Sequence, residues 1–145
     1  MAREYISKVI VNLDQLRKIQ RGQRTIYDSG IVNPNSNTLI AGLSGVVSIL
    51  ALAFIRSTPV GVAAGVISLA SGMTSSEKDI LKNLVYSGYW HLGYMDDFMV
   101  DHPNYDLIEM ELPFLEYTVD KEPIRFIQGK GMITRVHTKN GWIDA

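Results

Sequence analysis

The sequence predicts an α+β fold in one domain. Two observations predict this class: the middle third of the 145-residue chain is apolar and nearly uncharged, and residues 106–145 alternate apolar with polar side chains. Long apolar runs are typical of buried or membrane helices, and a period of two is typical of strands. A chain of this length forms one core, so we treat 1–145 as a single domain. Its four segments are 1–37, 38–73, 74–103 and 104–145.

The composition excludes several classes of function. With 46% hydrophobic and 20% charged residues, the chain is too apolar to be disordered, and its net charge of −1 offers no basic field to attract nucleic acid. It contains no cysteine, which excludes disulfides, thiolate zinc sites and thiol nucleophiles. The first 30 residues lack the uninterrupted apolar core of a secretory signal peptide, so we expect a protein that is cytoplasmic at synthesis.

Segment 1–37 is expected to contain a strand, a short helix and a loop. β-branched and aromatic residues predict a strand at Tyr5–Val11. Asn12 and Gln15 have the spacing of a helix capping box, and the helix is expected to end at about Gln20. A run of Asn, Pro and Ser then predicts a polar loop.

Segment 38–73 is the most informative part of the chain, because Arg56 is the only charged residue between Asp28 and Glu77. A solvated surface of that length usually carries about a quarter charged residues. We therefore expect the segment either to enter a bilayer or to be buried in protein.

A turn at Arg56–Pro59 divides this segment into two predicted apolar helices, Leu39–Ile55 and Val60–Met73, which form a Gly-rich helical hairpin. Small residues on one side of each helix are expected to let two backbones approach closely, with Gly65 at the closest point. These small residues are Gly42, Gly45, Ser48, Gly61, Gly65, Ser68 and Gly72. Bulky residues form the face that would enter lipid or the core. They include Leu43, Val47, Leu50 and Phe54.

In outline this hairpin resembles those of pore-forming bacteriocin toxins and phage holins, in which two apolar helices joined by a tight turn enter a bilayer. The resemblance covers residues 38–73. It implies a membrane-active protein that associates with other copies of itself and with a lipid bilayer. The alternative is a soluble oligomeric structural or assembly protein, for example a phage particle component, in which the hairpin is buried in the core or at a subunit interface. Both hypotheses predict a protein that is not an enzyme and needs no cofactor.

Segment 74–103 is expected to form an amphipathic helix followed by an acidic loop. Ser75 or Ser76 is predicted to cap the helix, and Gly88 and Gly93 weaken the helical pattern. The loop would include Tyr94–Asp97, a tetrapeptide that resembles the metal-binding motif of reverse transcriptases. A chain this short has no room for the palm-sized sheet and basic template groove that the motif serves.

Two histidines and three aspartates lie between His91 and His102, and such residues can bind metal. His91 and Asp96, like Asp97 and His102, are five positions apart, which fits neither one helix face nor alternate strand positions. A solvated acidic loop is therefore favoured, and no metal site is predicted.

Segment 104–145 is predicted to form an antiparallel β meander. The alternation of apolar residues changes parity at Pro113, so a bulge or strand break is expected there. Gly129–Gly131 and Lys139–Gly141 predict the later turns. His137 is expected to be a surface imidazole, because no acidic partner can be assigned to it from the sequence.

Overall fold

A computed structural model describes residues 2–145 and confirms the α+β class. Within these residues the chain forms five α-helices and a curled, five-stranded antiparallel sheet. The strands are β1 (Ala2–Val11), β2 (Leu107–Val119), β3 (Glu122–Ile127), β4 (Met132–Thr138) and β5 (Gly141–Asp144). The helices are α1 (Leu13–Ile26), α2 (Ser36–Ser44), α3 (Leu50–Phe54), α4 (Pro59–Ser71) and α5 (Ser75–Asp101).

The long strand β2 is the centre of the sheet. β1 pairs with one edge of it, from Ala2 opposite Tyr117 to Val11 opposite Ile108. β3 and β4 lie end to end along the other edge, and β5 pairs with β4. The prediction of a simple meander is therefore wrong, because β3 and β4 share one edge of β2 and do not pair with each other.

The predicted break at Pro113 is also wrong. β2 continues through Pro113, which lies opposite Ile6 of β1. The irregularity lies instead between Glu109 and Met110, where the register with β4 shifts. Proline is tolerated in a sheet where a ladder hydrogen bond is absent, and Pro113 falls at the gap between β3 and β4.

The capping box of α1 is confirmed. The predicted end of the helix, at about Gln20, is wrong. Asn12 Oδ1 accepts a hydrogen bond from Gln15 N at 2.8 Å, and Asn12 N donates to Gln15 Oε1 at 2.9 Å. The helix passes through Gly22 to Ile26 and continues as a π-helical turn over Tyr27–Val32. Gly22 lies where the ring of Phe54 packs against α1, because a Cβ there would be 3.2 Å from Phe54 Cε2.

The first predicted arm of the hairpin is not a continuous helix. α2 ends at Ser44, a 3-10 turn follows at Val47–Ile49, and the two helical pieces are bent by 87°. The bend turns apolar side chains from both pieces towards one core, and this packing outweighs helix continuity in a segment weakened by glycine. No single helix in residues 2–145 is long and apolar enough to cross a membrane, although Ser36–Ser44 and Val47–Phe54 together meet the criteria of length and composition.

The turn between α3 and α4 is held by arginine side chains. Arg56 donates hydrogen bonds to the carbonyls of Val119 at 2.6 Å and Glu122 at 3.1 Å, beside the β2–β3 turn. Arg125 of β3 donates to the carbonyls of Leu52 and Ala53 at the end of α3. The single charge of the apolar segment therefore supplies donors to backbone carbonyls.

The predicted acidic loop is wrong, because α5 is one helix of 27 residues that includes the whole acidic run. Its N-cap is Thr74, with Glu77 completing a capping box, rather than Ser75 or Ser76. Gly88 does not interrupt the helix. It lies where α5 crosses the end of β3, and a Cβ at this position would overlap the Ile127 carbonyl.

The core lies between the helices and the sheet, and its largest fully buried side chains include Phe54, Phe114 and Phe126. Gln23 is a fully buried polar residue in this core. Its amide donates to the carbonyls of Val85 and Ile127, and so joins α1, α5 and β3. A buried amide of this kind is stable only when its partners are present.

Candidate functional site

The bulky residues of the predicted insertion face mostly point into the chain's own core. Leu43, Leu50 and Phe54 are fully buried, whereas Val47 is 48% exposed. Val47 departs from the expected face because it lies in the bend, where the rotation of a continuous helix is lost.

The small residues do not form one stripe. Gly65 is buried and Gly61 is partly buried. The others are exposed, namely Gly42, Gly45, Ser48, Ser68 and Gly72. Gly65 does not lie between two helix backbones, since a Cβ there would be 2.8 Å from Arg56 Nη1 and 3.0 Å from Ile124 Cδ1. Its small size makes room for the arginine that holds the α3–α4 turn.

The bent segment presents an uncharged surface to solvent. We define the neutral surface as the exposed residues between positions 41 and 51, which are Ala41, Gly42, Ser44, Gly45, Val47, Ser48 and Ala51. Small side chains leave the backbone accessible, and Val47 adds an apolar contact. Such a surface can be buried against protein without desolvating a charge.

A row of aromatic side chains marks the outer face of α5. Tyr86, Trp90 and Tyr94 follow one another at i+4 spacing and are 36%, 54% and 60% exposed. Arg24 lies 5.7 Å from the ring centroid of Tyr86 and donates to Asp28 at 2.9 Å. That hydrogen bond raises the pKa of Arg24. The i+4 spacing of Tyr86, Trp90 and Tyr94 is a signal in the sequence that predicts such a row, although the row is not among the features expected above.

Asp96, His91 and His102 of the acidic run each contact a different partner. Asp96 accepts hydrogen bonds from Arg17 at 2.8 and 3.2 Å, and the same contact raises the pKa of Arg17. His91 Nδ1 contacts the Ser87 carbonyl and His102 Nδ1 contacts the Phe98 carbonyl, each at 2.8 Å. No group of three or more His, Asp or Glu side chains in residues 2–145 is placed to hold a metal ion.

His137 has an acidic partner that the sequence did not reveal. Its Nδ1 lies 2.7 Å from Asp106 Oδ1, and this hydrogen bond lowers the pKa of Asp106. The edge of Trp142 packs on the imidazole at a centroid distance of 5.1 Å. Asp106 immediately precedes β2 and His137 is the penultimate residue of β4, so only the pairing of these strands brings the two residues together.

A cavity of about 690 Å³ opens between α5 and the connection from β3 to β4. Its apolar lining comes from Met95 and Phe98 of α5 and from Met132 and Ile133 of β4. His91 and Lys130 supply its basic side chains. None of these residues was assigned to a site by the sequence analysis, because they come together only in the tertiary structure.

No protein-family model, curated protein or solved structure matches this chain.

Proposed function

We propose that the protein is a non-enzymatic, self-associating structural or assembly protein, a component of an assembled particle, whose copies meet at the neutral surface. The observation that carries this proposal is that the apolar segment has one buried side and one exposed side. Leu43, Leu50 and Phe54 are already buried in the chain's own core, while the opposite side is exposed and uncharged.

A second copy of the chain is the partner that this surface fits. In a two-fold dimer the same patch contacts itself, so a charged patch would meet like charge. The residues of the neutral surface carry no charge of their own, and Arg21 lies at its border, 4.0 Å from the position of a Cβ at Gly45. Gly42 packs against Thr25 of the same chain, so Gly45 and Ser48 are the small residues that a second copy would approach. Val47 supplies the apolar side chain that such a contact would bury.

The proposal is tested by adding one charge to the neutral surface. Size-exclusion chromatography with light scattering should show that the wild-type chain is an oligomer and that Ser48→Glu shifts it to monomer. Ser76→Glu is the matched control, because Ser76 is exposed in the first turn of α5, where a carboxylate suits the helix dipole. A wild-type chain that is monomeric at every concentration would contradict the proposal.

Membrane insertion is the second candidate, and one observation favours it. The bent pair Ser36–Ser44 and Val47–Phe54 has the length and composition of a broken span. Insertion would require the buried side chains of this pair to leave the core. Release of dye from vesicles of phosphatidylcholine and phosphatidylglycerol by the wild-type chain would favour this candidate over self-association, and we expect none.

A further inference from the structure

We propose that the cavity between α5 and the β3–β4 connection binds a small organic anion with an apolar chain. The volume of about 690 Å³ lies within the range of roughly 300–1,000 Å³ that is typical of small-molecule sites. The proposal concerns a different part of the surface from the one assigned to self-association.

The apolar part of the cavity fits a flexible hydrocarbon chain. Met95 is buried, Phe98 lies three residues further along α5, and Ile133 of β4 also lines the cavity. Met132 forms the exposed part of the wall. Methionine side chains have several rotatable bonds and adapt to ligands of irregular shape.

The polar part of the cavity contains the cationic side chain of Lys130, and Ala145 also lines the cavity. Lys130 lines it and makes no ion pair with any side chain of residues 2–145. His91 Nδ1 is 2.8 Å from the Ser87 carbonyl, which can only accept a hydrogen bond, so Nδ1 carries a proton. In the neutral ring the remaining nitrogen, Nε2, is an acceptor and does not donate to an anion. A carboxylate in the cavity would pair with the ammonium group of Lys130.

The wall that carries Lys130 is fixed in place by two glycines. A Cβ at Gly131 would lie 2.6 Å from Leu112 Cδ2 and 2.8 Å from the Glu111 carbonyl, so the connection packs directly on β2. Gly129 has a φ of +80°, which L side chains rarely adopt. Packing on β2 therefore sets the position of the connection that carries Lys130.

Isothermal titration calorimetry with sodium octanoate tests the proposal. We expect saturable binding at one site per chain. Acetate has the head group without the chain, and 1-octanol has the chain without the charge. Each should bind at least about tenfold more weakly than octanoate, a difference of about 1.4 kcal/mol. Absence of saturable octanoate binding, or equal affinity for 1-octanol, would overturn the proposal.

Two pairs of variants locate the site. Lys130→Gln should weaken octanoate binding about tenfold, whereas Lys139→Gln, at an exposed lysine in the β4–β5 turn, should leave it unchanged. Met132→Glu should abolish binding by placing a negative charge in the wall. Ile143→Glu is its control, since both residues are exposed in strands, at 59% and 51%, and Ile143 does not line the cavity. Equal effects within either pair would place the ligand elsewhere and contradict the proposal.

Discussion

Gln23 of α1 and Ile127 of β3 are joined by hydrogen bonds in both directions. Gln23 Nε2 donates to the Ile127 carbonyl at 2.6 Å, and Ile127 N donates to Gln23 Oε1 at 3.3 Å. The same Nε2 also donates to the Val85 carbonyl of α5 at 3.0 Å. The side chain of Gln23 in α1 therefore hydrogen-bonds the backbone at the end of β3 and a backbone carbonyl of α5.

Gln23→Leu should be strongly destabilising for this reason. The substitution keeps a similar volume but leaves buried backbone groups of β3 unpaired, which costs about 1–3 kcal/mol for each group. Urea unfolding should show the loss as a lower midpoint. Gln20→Leu is the control, because Gln20 is on the same helix but only partly buried. Equal losses in the two variants would show that the hydrogen bonds are not the cause.

Gly88 and Gly93 provide a second matched comparison on α5. Helix propensity alone favours alanine over glycine by about 1 kcal/mol at each position. A Cβ at Gly93 would approach only the flexible end of Gln20, at 3.5 Å, whereas a Cβ at Gly88 would overlap the Ile127 carbonyl. Thermal melts should therefore show that Gly93→Ala raises Tm and Gly88→Ala lowers it. An increase in Tm for both variants would contradict the close crossing of α5 and β3.

Gly65→Leu should destabilise the chain by displacing Arg56. A leucine would occupy the space of the guanidinium and Ile124, and overpacking of this kind costs about 1–3 kcal/mol. Ala64→Leu is the control, because Ala64 is exposed on the same helix. Ala63 would be a poor control, since it is fully buried. A normal melting curve for Gly65→Leu would show that Arg56 can move without cost.

Glu109 should make the fold sensitive to acid. The pKa of Glu109 is lowered to about 2, mainly because Arg135 donates hydrogen bonds to its carboxylate at 3.0 and 2.6 Å. Its ordinary value is 4.5, so the stabilising contribution is present above pH 4.5 and is lost as the pH falls towards 2. Tm measured across this range should fall less steeply for Glu109→Gln than for the wild type. Parallel curves would mean that another carboxylate is responsible.

Local signals in the sequence predicted the elements that depend on neighbouring residues. The capping box at Asn12 was predicted correctly because both of its hydrogen bonds span three residues. The α+β class followed from the contrast between the apolar middle segment and the alternating residues near the other end. Both inferences required only the spacing of side chains along the chain.

Contacts between distant residues decided what the sequence could not reveal. The bend after Ser44 exists because Leu43 and Leu50 are both buried in one core. Gly88 weakens the helical pattern in sequence but is required by the carbonyl of Ile127. The pairing of Asp106 with His137 depends on the register of β2 with β4. In each case the partner lies in another element, and spacing along the sequence carries no information about it.

The cavity is another feature that spacing along the sequence does not reveal, because its lining comes from distant parts of the chain. The sequence groups His91 with Asp96, Asp97 and His102 as candidate metal ligands, because these residues are close along the chain. In the structure His91 shares a cavity with Lys130 from a different element. A one-residue change in the β3–β4 connection would alter that arrangement without changing the pattern of α5.

The pairing of β1 with β2 has a consequence for how the protein is made. Arg3 and Glu116 are in contact although 113 positions separate them, so the first strand has no partner until most of the chain has left the ribosome. Pairing over such a separation is typical of slow folding steps. The exposed Ile6 and Ile10 lie on this strand, and until β2 emerges its backbone can pair with other nascent chains. We therefore expect yield in a cell to depend more on translation rate and chaperone supply than on the stability of the finished fold.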